Sequence, residues 1–546
     1  MKEMNRLILM GDEAVARGAI DAGISGAYAY PGTPSTEIFE YIHDLSGRDG
    51  LEIHARWSTN EKVAYEEALG MSYAGRRTIV SFKHVGLNVA ADPFISSTIS
   101  GVHGGLLVVV ADDPSMHSSQ NEQDSRFYAK FSQIVCFEPP DQQQAYEMAR
   151  EALDLSEKLR MPVMLRLVTR LAHSRSIVTL SEPRKQNRAS YCPDTSWWTL
   201  LPSNARRGFD RLLHKQAELR AFSEEHASNQ LSISGAGKPG IIASGIASGY
   251  VREVLGDRLS EYNFLTVGVY PLPVEKIKQL VKASSEVWTM EDGYPLIEQQ
   301  LTGDGLHTNA RIRGKMSGDL PRSGELTPDL VKSAFGVPAS RGLRLAGSAP
   351  GLPARPPLLC EGCPHSDTFE IIREATRGYP DIRVMGDIGC YTLGFYKPHE
   401  GLHSCICMGA SIGMASGVSH AGFGPVFCVI GDSTFTHSGL TPLLDAAREN
   451  TNIKVFVLDN SIVAMTGGQP TMVTDQAMVQ IVAGLGVPAE HIKVIKPLPR
   501  SLEENVKVVR QEIEYHGLSV IISRRECVTY YKEIKTAQRN REGELR

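Results

Sequence analysis

Short apolar runs without polar alternation recur between longer amphipathic stretches from near the start of the chain. Residues 26–31 (GAYAYP), 77–82 (RTIVSF), 105–112 (GLLVVVAD) and 161–168 (MPVMLRLV) read as strands buried on both faces of a parallel sheet. Helices are expected between them at 13–22, 36–45, 60–74 and 141–158. This is the βαβ rhythm of a doubly wound sheet. From about 176 to 238 the chain turns polar, basic and irregular, with Trp197, Trp198, Arg206, Arg207 and Arg211. That mixture can suit a nucleotide or nucleic acid, but an ordered connector with a solvated helix is the favoured reading. Alternation resumes at 240–245 (GIIASG), 264–269 (FLTVGV) and 286–292 (EVWTMED), and a Pro-rich linker at 349–359 marks the next boundary. A last alternating stretch carries strands at 383–389, 425–432, 454–460 and 518–526. The expected architecture is α/β, with doubly wound parallel-sheet units at 1–180 and 355–546, a connector at 181–235 and a smaller α/β unit at 236–345.

Composition narrows the partners. With 57 Lys plus Arg against 62 Asp plus Glu, the net charge of -5 gives no general attraction to nucleic acid or anionic membranes. No stretch approaches the roughly 20 apolar residues of a membrane helix, and MKEMNRLILMGDEA is acidic where a signal peptide would be apolar. A reducing, cytoplasmic setting is therefore expected, in which the nine cysteines serve as metal ligands or core residues rather than disulfides.

The densest chemistry lies in GDSTFTHSGL (431–440) and VLDNSIVAMTGGQ (457–469). A strand ending at Gly431 would set Asp432 on the carboxyl edge of its sheet, where open α/β folds bind ligands. A helix expected to start near Thr436 and His437 would offer amides to an anion. The next strand ends at Asp459 and Asn460, and two hard oxygen donors there suit a Mg²⁺ bridging a diphosphate. An Asp at such a place is, by itself, as readily a helix cap. Together the two segments resemble the thiamine diphosphate signature, with Ser433 where many members carry a third Gly.

Two further features join it. In WSTNEKVAYEEALGMSYAG, Glu61 follows a Ser58-Thr59-Asn60 cap; it is either an ordinary first-turn acid favoured by the helix dipole or a functional group. Cys360 and Cys363 form a C-x2-C pair, and Cys390 and Cys527 complete a set of four. Spacing alone leaves a structural zinc and a 4Fe-4S cluster both open. Cys428 falls in a core strand, and Cys136, Cys192, Cys405 and Cys407 read as packing residues, with Cys405 and Cys407 a minor alternative ligand pair.

Over nearly its whole length the chain resembles the large, thiamine diphosphate-binding subunits of the indolepyruvate ferredoxin oxidoreductases, within the 2-oxoacid:ferredoxin oxidoreductase superfamily. AYPGTPSTEI, WSTNEKVA, KHVGLNVAADP, VADDPSMHSSQNEQDSR, CEGCPH, GDIGCYTLG and GDSTFTHSGLTPLLDAA carry the match. The resemblance implies thiamine diphosphate, Mg²⁺ and one 4Fe-4S cluster, and a transketolase C-terminal-like fold for the smaller unit. It implies that Glu61 bonds the aminopyrimidine, that Asp432, Asn460 and the Ile462 carbonyl hold Mg²⁺ beside Gly431 and Ser433, and that Cys360, Cys363, Cys390 and Cys527 hold the cluster. Thr33 either contacts substrate or caps the next helix. His84, after Lys83 at a strand end, is a proton or carboxylate partner or else a satisfied polar residue. The implied reaction turns an aryl 2-oxoacid, CoA and an electron acceptor into arylacetyl-CoA, CO₂ and reduced acceptor, with a small partner subunit. Only a Cys-free VTYYKEIKTAQRNREGELR follows Cys527 where relatives continue into a ferredoxin-like module, so at most one cluster and an external electron exit are expected. The rivals are a non-oxidative thiamine diphosphate decarboxylase, which needs no thiolate set, and a non-catalytic metal-binding assembly subunit, which needs no Glu61.

Overall fold

The structure is a computed structural model describing residues 6–192, 194–303, 310–338 and 357–536. The Pro-rich linker lies outside these residues except at 357–359, as does the end of the tail beyond 536. The chain forms two compact units, Met1–Leu345 and Ala346–Arg546.

The first unit is built on a seven-stranded sheet in the order Val269–Tyr270, Cys136–Phe137, Val163–Val168, Leu106–Asp112, Thr78–Lys83, Gly26–Ala29, His54–Trp57. Every pairing is parallel except that of Val269–Tyr270 with Cys136–Phe137. The four apolar runs are its central strands, and Leu106–Asp112 is buried at every position. Helices at Gly11–Asp21, Thr36–Asp49, Glu61–Tyr73 and Gln142–Leu159 fall where the amphipathic stretches predict them. A five-stranded sheet follows in the order Arg311–Arg313, Ser284–Met290, Lys238–Ser244, Asn263–Val267, Leu231–Ser232. Its strand Asn263–Val267 runs straight on into Val269–Tyr270, so one chain segment serves both sheets. The polar connector contains the helix Pro202–Glu225. Its Trp197 ring is sandwiched between the guanidiniums of Arg160 and Arg211, 3.9 and 3.8 Å from the ring centre, and Trp198 meets Tyr73 edge-on. Those aromatics fasten the connector by cation–π and edge contacts, while Arg206 and Arg207 stay exposed.

The second unit is a six-stranded, fully parallel sheet in the order Ser404–Cys405, Val384–Gly386, Val426–Gly431, Ile453–Asp459, Ser519–Arg524, Ile492–Ile495. Side chains along its central strands alternate between two cores. Val426, Cys428 and Ile430 enter one, and Phe427 and Val429 the other. Both faces are covered, which is why these strands read as unbroken apolar runs. The α/β class with parallel sheets is thus present throughout.

A buried ionic lattice joins the two sheets of the first unit. Arg166, on the strand Val163–Val168, donates from Nε to Asp112 Oδ2 (2.6 Å), from Nη1 to Glu138 Oε1 (2.5 Å) and from Nη2 to the Asp292 carbonyl (3.0 Å). Arg126 donates to Asp124 (2.9 Å) and the Tyr270 hydroxyl (3.1 Å) and pairs with Glu291 (3.2 Å). Glu291 and Asp292 directly follow the strand Ser284–Met290 of the smaller sheet. Removing one partner of such a buried set strands the others. Arg166→Ala is expected to destabilise the first unit by about 3–5 kcal/mol, read as a lower urea midpoint in the unfolding of the full chain.

Candidate active site

In the second unit, Asp432 stands at the carboxyl end of Val426–Gly431 and is buried. Its Oδ1 accepts from Ser433 N (2.7 Å) and its Oδ2 from Ser461 N (2.9 Å). Burial, then the charge of Asp459 on the neighbouring strand end, pushes its carboxyl well above the usual range. Arg524 pairs with Asp459 at 2.9 Å, but among the described residues no Lys or Arg pairs with Asp432. Asp459 Oδ1 is buried without a hydrogen-bond partner. Asn460 is buried with its Oδ1 accepting from Ile462 N (3.2 Å), and Ser461 between them takes the left-handed conformation (φ 66°) that bends the chain sharply there. Hard oxygen donors, an orphaned carboxylate oxygen and uncompensated negative charge fit a divalent cation such as Mg²⁺. Gly431 has a packing reason of its own, since a Cβ there would lie 2.8 Å from the Tyr391 ring.

The helix after this strand begins at Asp432 itself, not near Thr436 as the sequence suggests. It runs through Asp432–Thr434, widens to a π turn over Phe435–Gly439 and continues as Leu440–Glu449. The hydroxyls explain the early start: Thr434 donates to the Ile388 carbonyl (2.8 Å) and Thr436 to the Ser433 carbonyl (2.9 Å), so the Ser/Thr-rich turn is held helical from its first residue. π turns of this kind concentrate at functional sites.

The four cysteines come from three places. Cys363 is the N-cap of the helix Pro364–Ala375, with Cys360 just before it. Cys390 opens the short helix Cys390–Phe395, and Cys527 follows the strand Ser519–Arg524. Burial, then the neighbouring Cys363, Cys527 and Cys360, pushes the Cys390 thiol up to about 12. The four thiols thus lie near enough to act on one another's charge. Yet among the described residues no three of these sulfurs lie within 4.8 Å of one another. Four thiolates can serve a structural zinc or a 4Fe-4S cluster alike. Cys405 and Cys407 correct the sequence reading. They are half-buried and exposed rather than packed in a core, because Cys405 ends the edge strand Ser404–Cys405 and Cys407 lies just beyond it, and the charge that acts on Cys407 is that of Asp387, not that of the four thiols.

Two residues escaped the sequence reading. His365 is buried, with Nε2 3.4 Å from Asn460 Nδ2, and burial lowers its pKa to about 4. Asp387 accepts from Gly409 N (2.8 Å) and Ser411 N (2.9 Å), fixing the start of the helix Ala410–His420. The signals were in CEGCPH and GDIGC, where only the cysteines drew notice.

In the first unit, Glu61 opens the helix Glu61–Tyr73, whose N-cap Asn60 accepts from Val63 N (2.9 Å). It is buried, unlike an ordinary first-turn acid, and lies across the helix His84–Val89: a Cβ on Gly86 would meet Glu61 Oε1 at 2.7 Å. Thr33 precedes a cis Pro34, and the N-cap of the helix Thr36–Asp49 is Ser35, so Thr33 is not the cap. Lys83 donates to the Ser118 carbonyl (2.8 Å), and burial brings its pKa down to about 8. His84 Nε2 meets the Asn121 carbonyl at 3.1 Å, while Nδ1 is buried without a partner and burial favours the neutral ring. Ser118 Oγ reaches the Thr33 carbonyl at 3.4 Å, so Thr33, Lys83 and His84 gather at the carboxyl edge of the seven-stranded sheet.

Known proteins show the same two halves. Residues 17–195 match the thiamine diphosphate-binding domain of pyruvate flavodoxin/ferredoxin oxidoreductases, and residues 387–522 match the C-terminal TPP-binding domain of thiamine pyrophosphate enzymes. Indolepyruvate oxidoreductase subunit IorA of Archaeoglobus fulgidus is 37% identical over 100% of this chain and 89% of its own length. The IorA of Thermococcus kodakarensis is 34% identical over 99% and 88%. The chain belongs to the IorA family. It is thereby a thiamine diphosphate-binding subunit of a 2-oxoacid oxidoreductase. A 2-oxoglutarate:ferredoxin oxidoreductase from Magnetococcus marinus, solved with 2-oxoglutarate, coenzyme A and succinyl-CoA, shares the fold with a TM-score of 0.51 at 18% identity, over 62% of this chain and 66% of that one, just under two thirds of its length. No helix among the described residues is long and apolar enough to cross a membrane.

Asp432→Ala is expected to weaken Mg²⁺-dependent thiamine diphosphate binding at least 100-fold, since a hard ligand is lost at a site facing a polyanion. Calorimetric titration in Mg²⁺ measures it, with circular dichroism confirming an intact fold.

Proposed function

We propose that this chain, with a small partner subunit, oxidatively decarboxylates an aryl 2-oxoacid of the indolepyruvate or phenylpyruvate type in the presence of CoA, giving arylacetyl-CoA, CO₂ and a reduced electron acceptor. The observation that carries this reading is one hydrogen bond: Cys527 N donates to the Asn460 carbonyl at 3.1 Å. The peptide that would present a metal ligand thus also anchors a member of the thiol set. A non-oxidative decarboxylase has no use for that arrangement, and an assembly subunit has no use for the buried Glu61.

In this reading Asp432, Asn460 and the Ile462 carbonyl hold Mg²⁺, and Gly431 and Ser433 line the diphosphate beside it. Thiamine diphosphate, when bound, supplies the electron sink for decarboxylation. Glu61 holds a proton at the pyrimidine ring from a buried position, where solvent cannot compete for it. Thr33 orients the substrate, and neutral His84, with its Nε2–H on the Asn121 carbonyl, takes a proton in transit on Nδ1 and once protonated there can pair with the substrate carboxylate. Cys360, Cys363, Cys390 and Cys527 hold one 4Fe-4S cluster, which when bound accepts electrons one at a time. The aryl substrate follows from the names of the IorA relatives, and the use of CoA from the same family resemblance. All nine cysteines are unpaired, which favours a reducing cytoplasm.

Glu61→Gln is expected to bind thiamine diphosphate normally and to lose turnover by about 10²- to 10⁴-fold, the scale of a removed acid or base; steady-state rates at saturating cofactor decide it. Cys390→Ser should abolish the roughly four irons per chain expected of one reconstituted 4Fe-4S cluster and stop acceptor reduction while sparing cofactor binding. Iron analysis and visible absorbance report the loss, and zinc in place of iron would contradict the assignment.

A further inference from the structure

Away from the residues discussed so far, three side chains from distant stretches of the first unit meet. Asp12 is the second residue of the helix Gly11–Asp21, Glu37 the second of Thr36–Asp49, and His173 closes the short helix Thr169–His173. One ligand atom from each lies within 4.8 Å of the other two, and Glu37 Oε2 is 3.5 Å from His173 Nε2. The backbones are close enough to hold them there. A Cβ at Gly11 would stand 2.3 Å from the Leu171 carbonyl oxygen, so only glycine lets the first helix start against the one that carries His173.

Asp12 is what points to a ligand. It is wholly buried, and neither of its carboxylate oxygens has a hydrogen-bond partner; Glu37 Oε2 lacks one as well. Asp12 is not occupied in capping, because Glu13 takes that role by accepting from Met10 N at 2.7 Å. No Lys or Arg pairs with it among the described residues, and the charged neighbours that act on it, Glu37 and Glu13, are both acidic. A buried carboxylate in that position is costly unless something positive or a shared proton joins it.

We propose that Asp12, Glu37 and His173 form a site for one divalent cation of the zinc and manganese class, bound by one imidazole nitrogen and two carboxylate oxygens with water in the remaining positions. The donor set is mixed nitrogen and oxygen, which suits those ions better than Mg²⁺ or Ca²⁺. Two carboxylates and a neutral imidazole balance the charge of a divalent ion. The side chains of Glu37 and His173 are 32% and 34% exposed, which leaves a way in, while Asp12 closes the inner end. The ion would pin three helix ends together and, through Glu37, steady the loop that carries Thr33. Its role is structural, and it does not depend on the reaction proposed above.

The test uses the full chain, stripped with a chelator, reloaded with Zn²⁺ and freed of unbound metal by gel filtration. Wild type, Asp12→Asn and His173→Gln are compared. The four thiols and Asp432 are identical in all three, so any zinc they take cancels. The expected result is one more zinc per chain in wild type than in either variant, with a Zn²⁺-dependent rise in Tm seen only in wild type. Should Asp12→Asn fold poorly, His173→Gln carries the comparison, because its side chain is partly exposed. Equal zinc and equal melting in wild type and His173→Gln would overturn the proposal and leave Asp12 and Glu37 as a carboxyl pair sharing a proton.

Discussion

A buried carboxylate at the carboxyl end of a parallel strand is the constraint around which both units are arranged. Parallel strands end together on one edge, and the helices that follow point their N-termini toward it, so the edge favours negative charge. Burial opposes that charge. In the first unit Asp112 meets this cost with Arg166, and Asp124 with Arg126, inside a lattice that extends to Glu138 and Glu291. In the second unit Asp432 has backbone amides instead, and Asp459 nearby adds repulsion rather than relief. The first arrangement supplies its own positive charge, although Asp112 Oδ1 is left without a hydrogen-bond partner. In the second, Arg524 answers Asp459 but among the described residues no Lys or Arg pairs with Asp432, and a metal-bound diphosphate is the kind of occupant that fits there.

Much of this was legible in the sequence because both faces of each sheet are covered. Phe427 and Val429 point one way and Val426, Cys428 and Ile430 the other, so no polar position interrupts the run and the strand is plain to see. The same logic explains what was missed. His54–Trp57 is an edge strand with alternating exposure and polar residues, and it resembles a loop until its neighbour Gly26–Ala29 is known. Arg6–Met10 pairs antiparallel with Arg175–Thr179, a contact between segments far apart in sequence that no local pattern encodes. His365 was passed over for a related reason. Its neighbour Asn460 is remote along the chain, so nothing near CEGCPH announces the contact.

Candidate residues divide the same way. Asp432, Asn460 and the four cysteines sit at strand ends and helix starts, where the βαβ pattern itself supplies the position. Thr33 does not, because its alternative role as a cap depended on where the helix began, and Ser35 occupies that place. Glu61 needed tertiary information of another sort. A glutamate in the first turn of a helix is ordinary, and what sets this one apart is that Gly86, on a different helix, leaves room for its carboxylate.

The strand order of the second unit gives the thiols and the Asp432–Asn460 pair a common origin. Ile453–Asp459 lies between Val426–Gly431 and Ser519–Arg524, so its carboxyl end is flanked by Asp432 on one side and by the chain leading to Cys527 on the other. The parallel ladder continues past the last strand residues, with Arg525 N donating to the Asp459 carbonyl and Cys527 N to that of Asn460, both at 3.1 Å. Asp459 Oδ2 accepts from Arg524 Nε at 2.9 Å and Asn460 Nδ2 lies 3.4 Å from His365, so the side chains as well as the carbonyls tie this strand end to the segments that carry the thiols. A shift of this strand end cannot move one without moving the other.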